Sequence, residues 1–156
     1  MESQPQTGAG AEMIYTIGFT KKSAERFFET LQRAGVRRLI DVRLNNVSQL
    51  AGFAKRGDLE YFLRAICNID YVHELRLAPR GEDLEAWRAG KLTWPGYELA
   101  YEALLRERNV EKSVPRSLFD VPSVLLCSEA RPEKCHRRLA AEYLAGVWGG
   151  MRIVHL

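Results

Sequence analysis

The sequence predicts an α/β fold, a three-layer sandwich with a mostly parallel sheet of about five strands and helices on both faces. Three observations predict it. Short apolar, β-branched runs recur five times along the chain, separated by segments with helical spacing or helix punctuation. The runs are nearly continuously apolar rather than alternating, which is the pattern of strands covered on both faces. Strands that alternate with helices pair in parallel through right-handed crossovers.

Each element follows from its residues. Met13–Gly18 is apolar and β-branched and stops at a glycine, so it is the first strand. Thr20 or Ser23 caps a helix carrying Phe27, Phe28 and Leu31, and Gly35 ends it. Arg38–Arg43 is the second strand, and Leu44–Lys55, with Asn45, Asn46, Ser48 and Gly52, is a loop. Asp58 caps a helix through Leu59, Phe62, Leu63, Ile66 and Cys67, followed by a third strand over Ile69–His73. Glu74–Gly96 is broken by Pro79, Gly81, Gly90, Pro95 and Gly96, with a short helix over Asp83–Ala89. Tyr97–Arg108 is a helix facing the core with Leu99 or Ala100, Ala103 and Leu104. Ser123–Cys127 is the fourth strand; Pro132 stands at the first position of a helix running to about Leu144, ended by Gly146, Gly149 and Gly150. Met151–Leu156 is the last strand.

Composition narrows the function classes. The 156 residues fit a single domain over 13–156, preceded by a polar, Gly-rich leader over 1–12 expected to be flexible. With 46% hydrophobic residues there is material for a real core. A net charge of +3, from 23 basic and 20 acidic side chains, is too mild to indicate nucleic acid by itself. Three cysteines, an odd number, give no disulfide framework, so a cytoplasmic protein with reduced thiols is expected. The leader lacks the basic and apolar regions of a signal peptide, and no apolar stretch is long enough to span a bilayer, so no membrane partner is expected.

In open α/β sheets ligands bind beyond the carboxyl ends of the strands. Those ends here are Gly18-Phe19-Thr20, Asp41-Val42-Arg43, His73-Glu74, Cys127-Ser128-Glu129 and His155. Gly18, Thr20, Arg43 and Arg137 are the candidate ligand-binding residues, with Arg43 offering a planar fork to carboxylate or phosphate. Asp41, inside its strand, is read as structural support, paired to Arg43 or to a backbone amide.

The richest stretch is Cys127–Arg138, with two thiols, a carboxylate, an imidazole and several cations. Cys127, Glu129, Cys135 and His136 are the candidate catalytic residues. A helix N-terminus and nearby arginines lower a thiol's pKa and favour anions. Three readings of the thiols stay open. They bind a metal with His136; or one is a nucleophile or redox centre; or they are small buried hydrophobes. No metal is assigned, because the spacing matches no standard zinc motif. The Cys-x5-Arg spacing of phosphatase and rhodanese loops is also absent, since Arg131 follows Cys127 by four.

These motifs together resemble the domain of unknown function 488 family. The resemblance rests on Thr16-Ile17-Gly18, Asp41-Val42-Arg43, Cys127-Ser128-Glu129, Cys135-His136-Arg137 and Val154-His155, in that order along Ile14–Leu156. The family opening commonly carries a histidine after the glycine; Phe19 stands there in this chain. The resemblance implies a fold and a site rather than a reaction.

The expectation is therefore a small cytoplasmic enzyme, hydrolase or transferase, with an anion-binding pocket for a nucleotide or nucleic-acid component. The sequence leaves the cofactor open, including whether Cys127, Cys135 and His136 bind a metal. Two alternatives stand beside it: a non-catalytic nucleotide- or metabolite-binding module, and a nucleic-acid-binding protein using the loops around Phe53–Arg56 and Arg76–Arg88, where Trp87, Trp94 and Tyr97 either stack on a base or pack the loop onto the core.

Overall fold

In the computed structural model, residues 12–47 and 52–156 are described. Apart from Glu12, the expected leader lies outside these residues, as do residues 48–51 of the Leu44–Lys55 loop. Five strands form one sheet: β1 (Glu12–Gly18), β2 (Arg38–Asp41), β3 (Asp70–His73), β4 (Ser123–Cys127) and β5 (Met151–His155). The order is β3-β2-β4-β1-β5, and every pairing is parallel.

The helices are α1 (Ala24–Arg33), α2 (Arg56–Phe62), α3 (Gly81–Arg88), α4 (Trp94–Glu107), α5 (Val110–Ser113) and α6 (His136–Trp148). α2 runs on as a π-helical turn over Leu63–Cys67, which ends on left-handed Asn68. Strand side chains alternate between two cores, as a pleat requires. Leu39, Val124 and Leu126 pack with Phe27, Leu31 and Leu59 of α1 and α2. Ile14, Ile40 and Leu125 pack with Tyr101 and Leu105 of α4 and Leu139 and Leu144 of α6. The edge strands β3 and β5 are only half buried, whereas β4 is buried throughout.

Several boundaries differ from the sequence expectation. α6 begins at His136, not at Pro132, because Cys135 is the extended residue that starts it and Ser128–Lys134 is a loop bound elsewhere. Gly146 lies within α6, which ends at Gly149 with positive φ. α4 begins at Trp94, with the Thr93 hydroxyl accepting from the Gly96 amide and Pro95 in the first turn. Its buried residues are Tyr97, Tyr101, Leu104 and Leu105, while Leu99 is 70% exposed. α2 is preceded by Lys55, so Asp58 sits in its first turn, where it still complements the helix dipole.

The order has a functional consequence. Beyond β2 the chain turns toward β3, and beyond β4 it turns the other way, toward β5. Two adjacent parallel strands whose connections diverge leave a crevice at their carboxyl ends, the usual ligand position in such sheets. The residues at those two ends are Arg43 and Cys127.

Candidate functional site

A cavity of about 250 Å³ opens at this crevice. Arg43, Leu44 and Asn45 form one wall and Cys127, Ser128 and Glu129 another. α3 and α4 contribute Trp87, Arg88, Trp94 and Tyr97, and Lys134, Cys135 and His136 complete it. The volume is at the small end of ligand pockets. It admits a small molecule, or a single unit of a polymer.

Arg43 is held by its surroundings. Its Nε and Nη2 donate to the two Asp41 carboxylate oxygens at 2.9 and 2.8 Å, and Nη2 also donates to the Ala54 carbonyl at 2.8 Å. The Asp41 expectation of a structural partner is thus what the geometry gives. Asp41 takes a further bond from the Tyr71 hydroxyl at 2.6 Å. Burial first, then the Asp41 charge, raise the Tyr71 phenol, so it stays protonated and donates. The Asn46 amide donates to Tyr71 and to His73 Nδ1, at 3.0 and 3.2 Å. His73 Nε2 lies 2.7 Å from the Arg43 carbonyl, which only accepts, so the His73 proton is on Nε2. Every donor here finds an acceptor except Arg43 Nη1, which is buried without a hydrogen-bond partner in a residue that lines the pocket. Phe19 lies under the guanidinium, 5.1 Å from its ring centre. The residue that stands in place of the family's histidine is therefore a buried platform for Arg43.

The thiol corner is organised around Arg137, which is fully buried. Among the described residues no carboxylate lies within ion-pair distance of it. Its Nε donates to Thr16 Oγ1 at 3.3 Å, its Nη1 to the Glu129 carbonyl and to Cys135 Sγ, the latter at 3.6 Å, and its Nη2 to the Ala130 carbonyl at 3.5 Å. It clamps the Ser128–Lys134 loop from beneath instead of lining the pocket. Gly18 and Thr20 act on the same loop. The Thr20 amide and hydroxyl both bond the Ser128 carbonyl. A Cβ on Gly18 would stand 1.6 Å from the Glu129 carbonyl oxygen. These three candidates from the sequence shape the site from behind its wall, whereas Arg43 is on it.

Cys127, Cys135 and His136 are all buried and meet at the pocket floor. His136 Nε2 lies 2.7 Å from the Val42 carbonyl, so Nε2 carries a proton and Nδ1 turns to Cys127 Sγ at 3.4 Å. Nε2 is also only 3.9 Å from that sulfur. Two such similar distances put the sulfur beside the ring, off the lone-pair axis of Nδ1. The coupling is therefore chiefly charge against charge. A hydrogen bond from the Cys135 thiol, with the His136 and Arg137 charges, outweighs burial and holds Cys127 well below the ordinary thiol value. Cys135 moves the other way: burial and its bond to Cys127 keep it a thiol. Burial works against a charged His136, but the Cys127 charge, its hydrogen bond and the Val42 carbonyl prevail and raise it. The shifts thus run toward charge on Cys127 and His136 and away from it on Cys135.

One ligand atom from each of Cys127, Cys135 and His136 lies within 4.8 Å of the others, a two-cysteine, one-histidine donor set. The adjacency of Cys135 and His136 does not separate them, since Cys135 precedes the helix. In this arrangement, however, Nε2 is bonded to Val42 and the sulfur is off the Nδ1 axis, so the three do not converge on one point. Glu129 differs from the other catalytic candidates: its side chain is exposed at the pocket mouth and its carbonyl is bound by Arg137. His155 is bonded to Thr16 behind the site. Trp87, Trp94 and Tyr97 with Arg88, expected from the sequence to stack on a base or to pack a loop, line the pocket together with Asn45 and Lys134, which were not among the candidate site residues. The aromatic spacing was the available signal, and the structure brings Trp94 and Tyr97 into a stack with centres 5.2 Å apart.

Fold and site together define a class: a parallel α/β protein with a thiol-floored, arginine-walled pocket at the divergence point of its sheet. The family model described as "Domain of unknown function DUF488" matches residues 23–144, and the chain belongs to that family. No curated protein and no solved structure matches it. Among the described residues no helix is long and apolar enough to cross a membrane.

Proposed function

We propose that the chain is an enzyme that acts on a small anionic ligand, a nucleotide or nucleic-acid component, with Cys127 as its nucleophile. The observation that carries this reading is the buried Arg137. An unpaired buried cation is costly by several kcal/mol, and it is relieved by an anion at the thiol corner. The Cys127 thiolate is that anion, and it faces the pocket.

The free Nη1 of Arg43, with Arg88 and Lys134 at the rim, draws the anionic part of the ligand. Trp87, Trp94 and Tyr97 offer ring faces to a base. Cys127 Sγ bonds to the electrophilic centre as the bond to the leaving group breaks, and the His136 imidazolium gives its proton to that group. Water or a second substrate then takes the centre from sulfur and returns a proton to His136, which is hydrolase or transferase chemistry.

The test incubates the protein with a panel of nucleoside mono-, di- and triphosphates, with an acid quench and peptide mass spectrometry for adducts on Cys127. The expected result is an adduct and turnover in the wild type, both lost in Cys127→Ser. Turnover and affinity unchanged in Cys127→Ser refute the nucleophile and favour a binding module. Affinity that falls steeply with salt and extends to oligonucleotides favours a nucleic-acid-binding protein.

A further inference from the structure

We infer that Cys127 and Cys135 form a reversible dithiol–disulfide centre, in which a hydroperoxide oxidises Cys127 and Cys135 closes the disulfide. The inference rests on the reading of Cys127 as a thiolate and adds a modification to the same site.

Four features carry it. The two sulfurs lie within 4.8 Å of each other, inside the reach of a side-chain rotation plus a small backbone shift toward the covalent length of ~2.05 Å. The two ends differ in freedom. Cys127 is fixed in β4, whose neighbours on both sides are strands of the sheet. Cys135 stands outside the sheet, at the junction of the irregular Ser128–Lys134 loop with α6 (φ −141°, ψ 137°), so the adjustment that closes the bond falls on this end. Access is one-sided. Cys127 is 6% exposed and lines the pocket, so the pocket is the route by which a small peroxide reaches it. Finally, the neighbouring charges sort the roles: Cys127 is held as the attacking thiolate, and Cys135 as the protonated resolving thiol.

The step balances. The Cys127 thiolate attacks the terminal oxygen of the hydroperoxide, the O–O bond breaks, and the departing oxygen leaves as alkoxide or hydroxide and is protonated. Cys127 is then a sulfenic acid. The Cys135 thiol gives up its proton, its sulfur bonds to Cys127 Sγ, the S–O bond breaks, and the oxygen leaves as water. Two thiols have lost two electrons and the hydroperoxide has been reduced to an alcohol or water. An external dithiol reverses the change. While it lasts, the nucleophile is masked.

The experiment starts from the wild-type protein. Full-length reduced protein is treated with one equivalent of hydrogen peroxide, residual thiols are trapped with a maleimide, and peptides are mapped. The expected result is loss of two thiols to a Cys127–Cys135 disulfide within one chain, Cys67 remaining free, and full recovery with dithiothreitol. Cys135→Ser should instead trap a sulfenic acid at Cys127, captured by dimedone, with overoxidation as peroxide rises. Iodoacetamide labelling of untreated protein runs in parallel. Rapid Cys127 labelling near neutral pH, with peroxide giving only sulfinic acid or a disulfide between chains, overturns this inference and leaves the thiolate reading standing. Cys127 labelling no faster than Cys67 overturns both.

Discussion

Gly18→Ala is the sharpest perturbation of the site that touches none of its reactive groups. Its Cβ would fall 1.6 Å from the Glu129 carbonyl oxygen, 2.6 Å from the carbonyl carbon and 2.8 Å from Arg137 Nη1, where real Cβ contacts essentially never come under 3.0 Å. The obstacle is backbone, so the loop must retreat by well over an ångström. That retreat strains or breaks the bonds from Arg137 to Glu129 and from Thr20 to Ser128. Overpacking costs about 1–3 kcal/mol and each hydrogen bond about 0.5–1.5 kcal/mol, so a loss of roughly 2–4 kcal/mol is expected. Urea unfolding should show it as a midpoint lower by roughly 1–2 M. Because Cys135 ends the same loop, the pH at which Cys127 reaches half its maximal iodoacetamide rate should also rise toward the ordinary thiol value. Gly146→Ala is the control, since a Cβ there meets nothing within 4 Å on an exposed turn of α6; it should stabilise by about 0.5–1 kcal/mol. A Gly18→Ala change under about 0.5 kcal/mol, with the Cys127 profile unmoved, refutes the reasoning that this loop is pressed against β1.

Iodoacetamide labelling should find Cys127 half-reactive well below pH 9.0 and Cys67, the more exposed thiol raised by burial, only above it; Arg137→Met should move Cys127 up. Asp41→Asn strips the buried Arg43 of its counter-charge and should cost about 3–5 kcal/mol by thermal or urea unfolding. The thiol corner also fixes a pH pattern. Cys127, lowered from 9.0, gives stability present above 9.0 and withdrawn as pH falls through its folded value; His136, raised from 6.5, gives stability present below 6.5 and withdrawn as pH rises through its folded value. Cys135, raised above 9.0, contributes stability below that pH which is lost as pH climbs past it. The urea stability difference between wild type and Cys135→Ser should thus be level through neutral pH and shrink above 9.0; a difference still constant there contradicts the protonated thiol.

All five strands were legible because each is a short run rich in apolar and β-branched residues, interrupted by charge only at Asp41, Asp70 and Arg152, and parallel pairing follows from their alternation with helices. The structural role of Asp41 was legible too, since a carboxylate inside a buried strand needs a partner; of the two it could have, a guanidinium or a backbone amide, Arg43 supplies both. The start of α6 was not. Pro132 is a sound first-turn residue, but the loop before His136 is held by Arg137 and by the absence of a side chain at Gly18, contacts across the fold that local propensity does not encode. Arg137 looked like a ligand clamp for the same reason: its charge is visible in the sequence and its full burial is not. The α4 start was readable from Thr93 and Pro95 but was masked by the glycines and prolines around it. The aromatic wall needed the sheet order, which alone brings α3 and α4 over the end of β4.

That order also governs when the site comes into being during folding. β1 and β2 follow each other in the chain yet are not neighbours; β4, formed much later, lies between them. A folding chain therefore holds a gap until β4 docks, and pairings this distant in sequence form slowly. Until then Cys127 lacks Arg137 and His136 as neighbours and has the reactivity of an ordinary thiol. A rapidly labelled Cys127 at neutral pH would report, residue by residue, the moment the central strand closes the sheet. Nascent or damaged chains would carry no activated sulfur, so the chemistry is restricted to molecules that have finished folding.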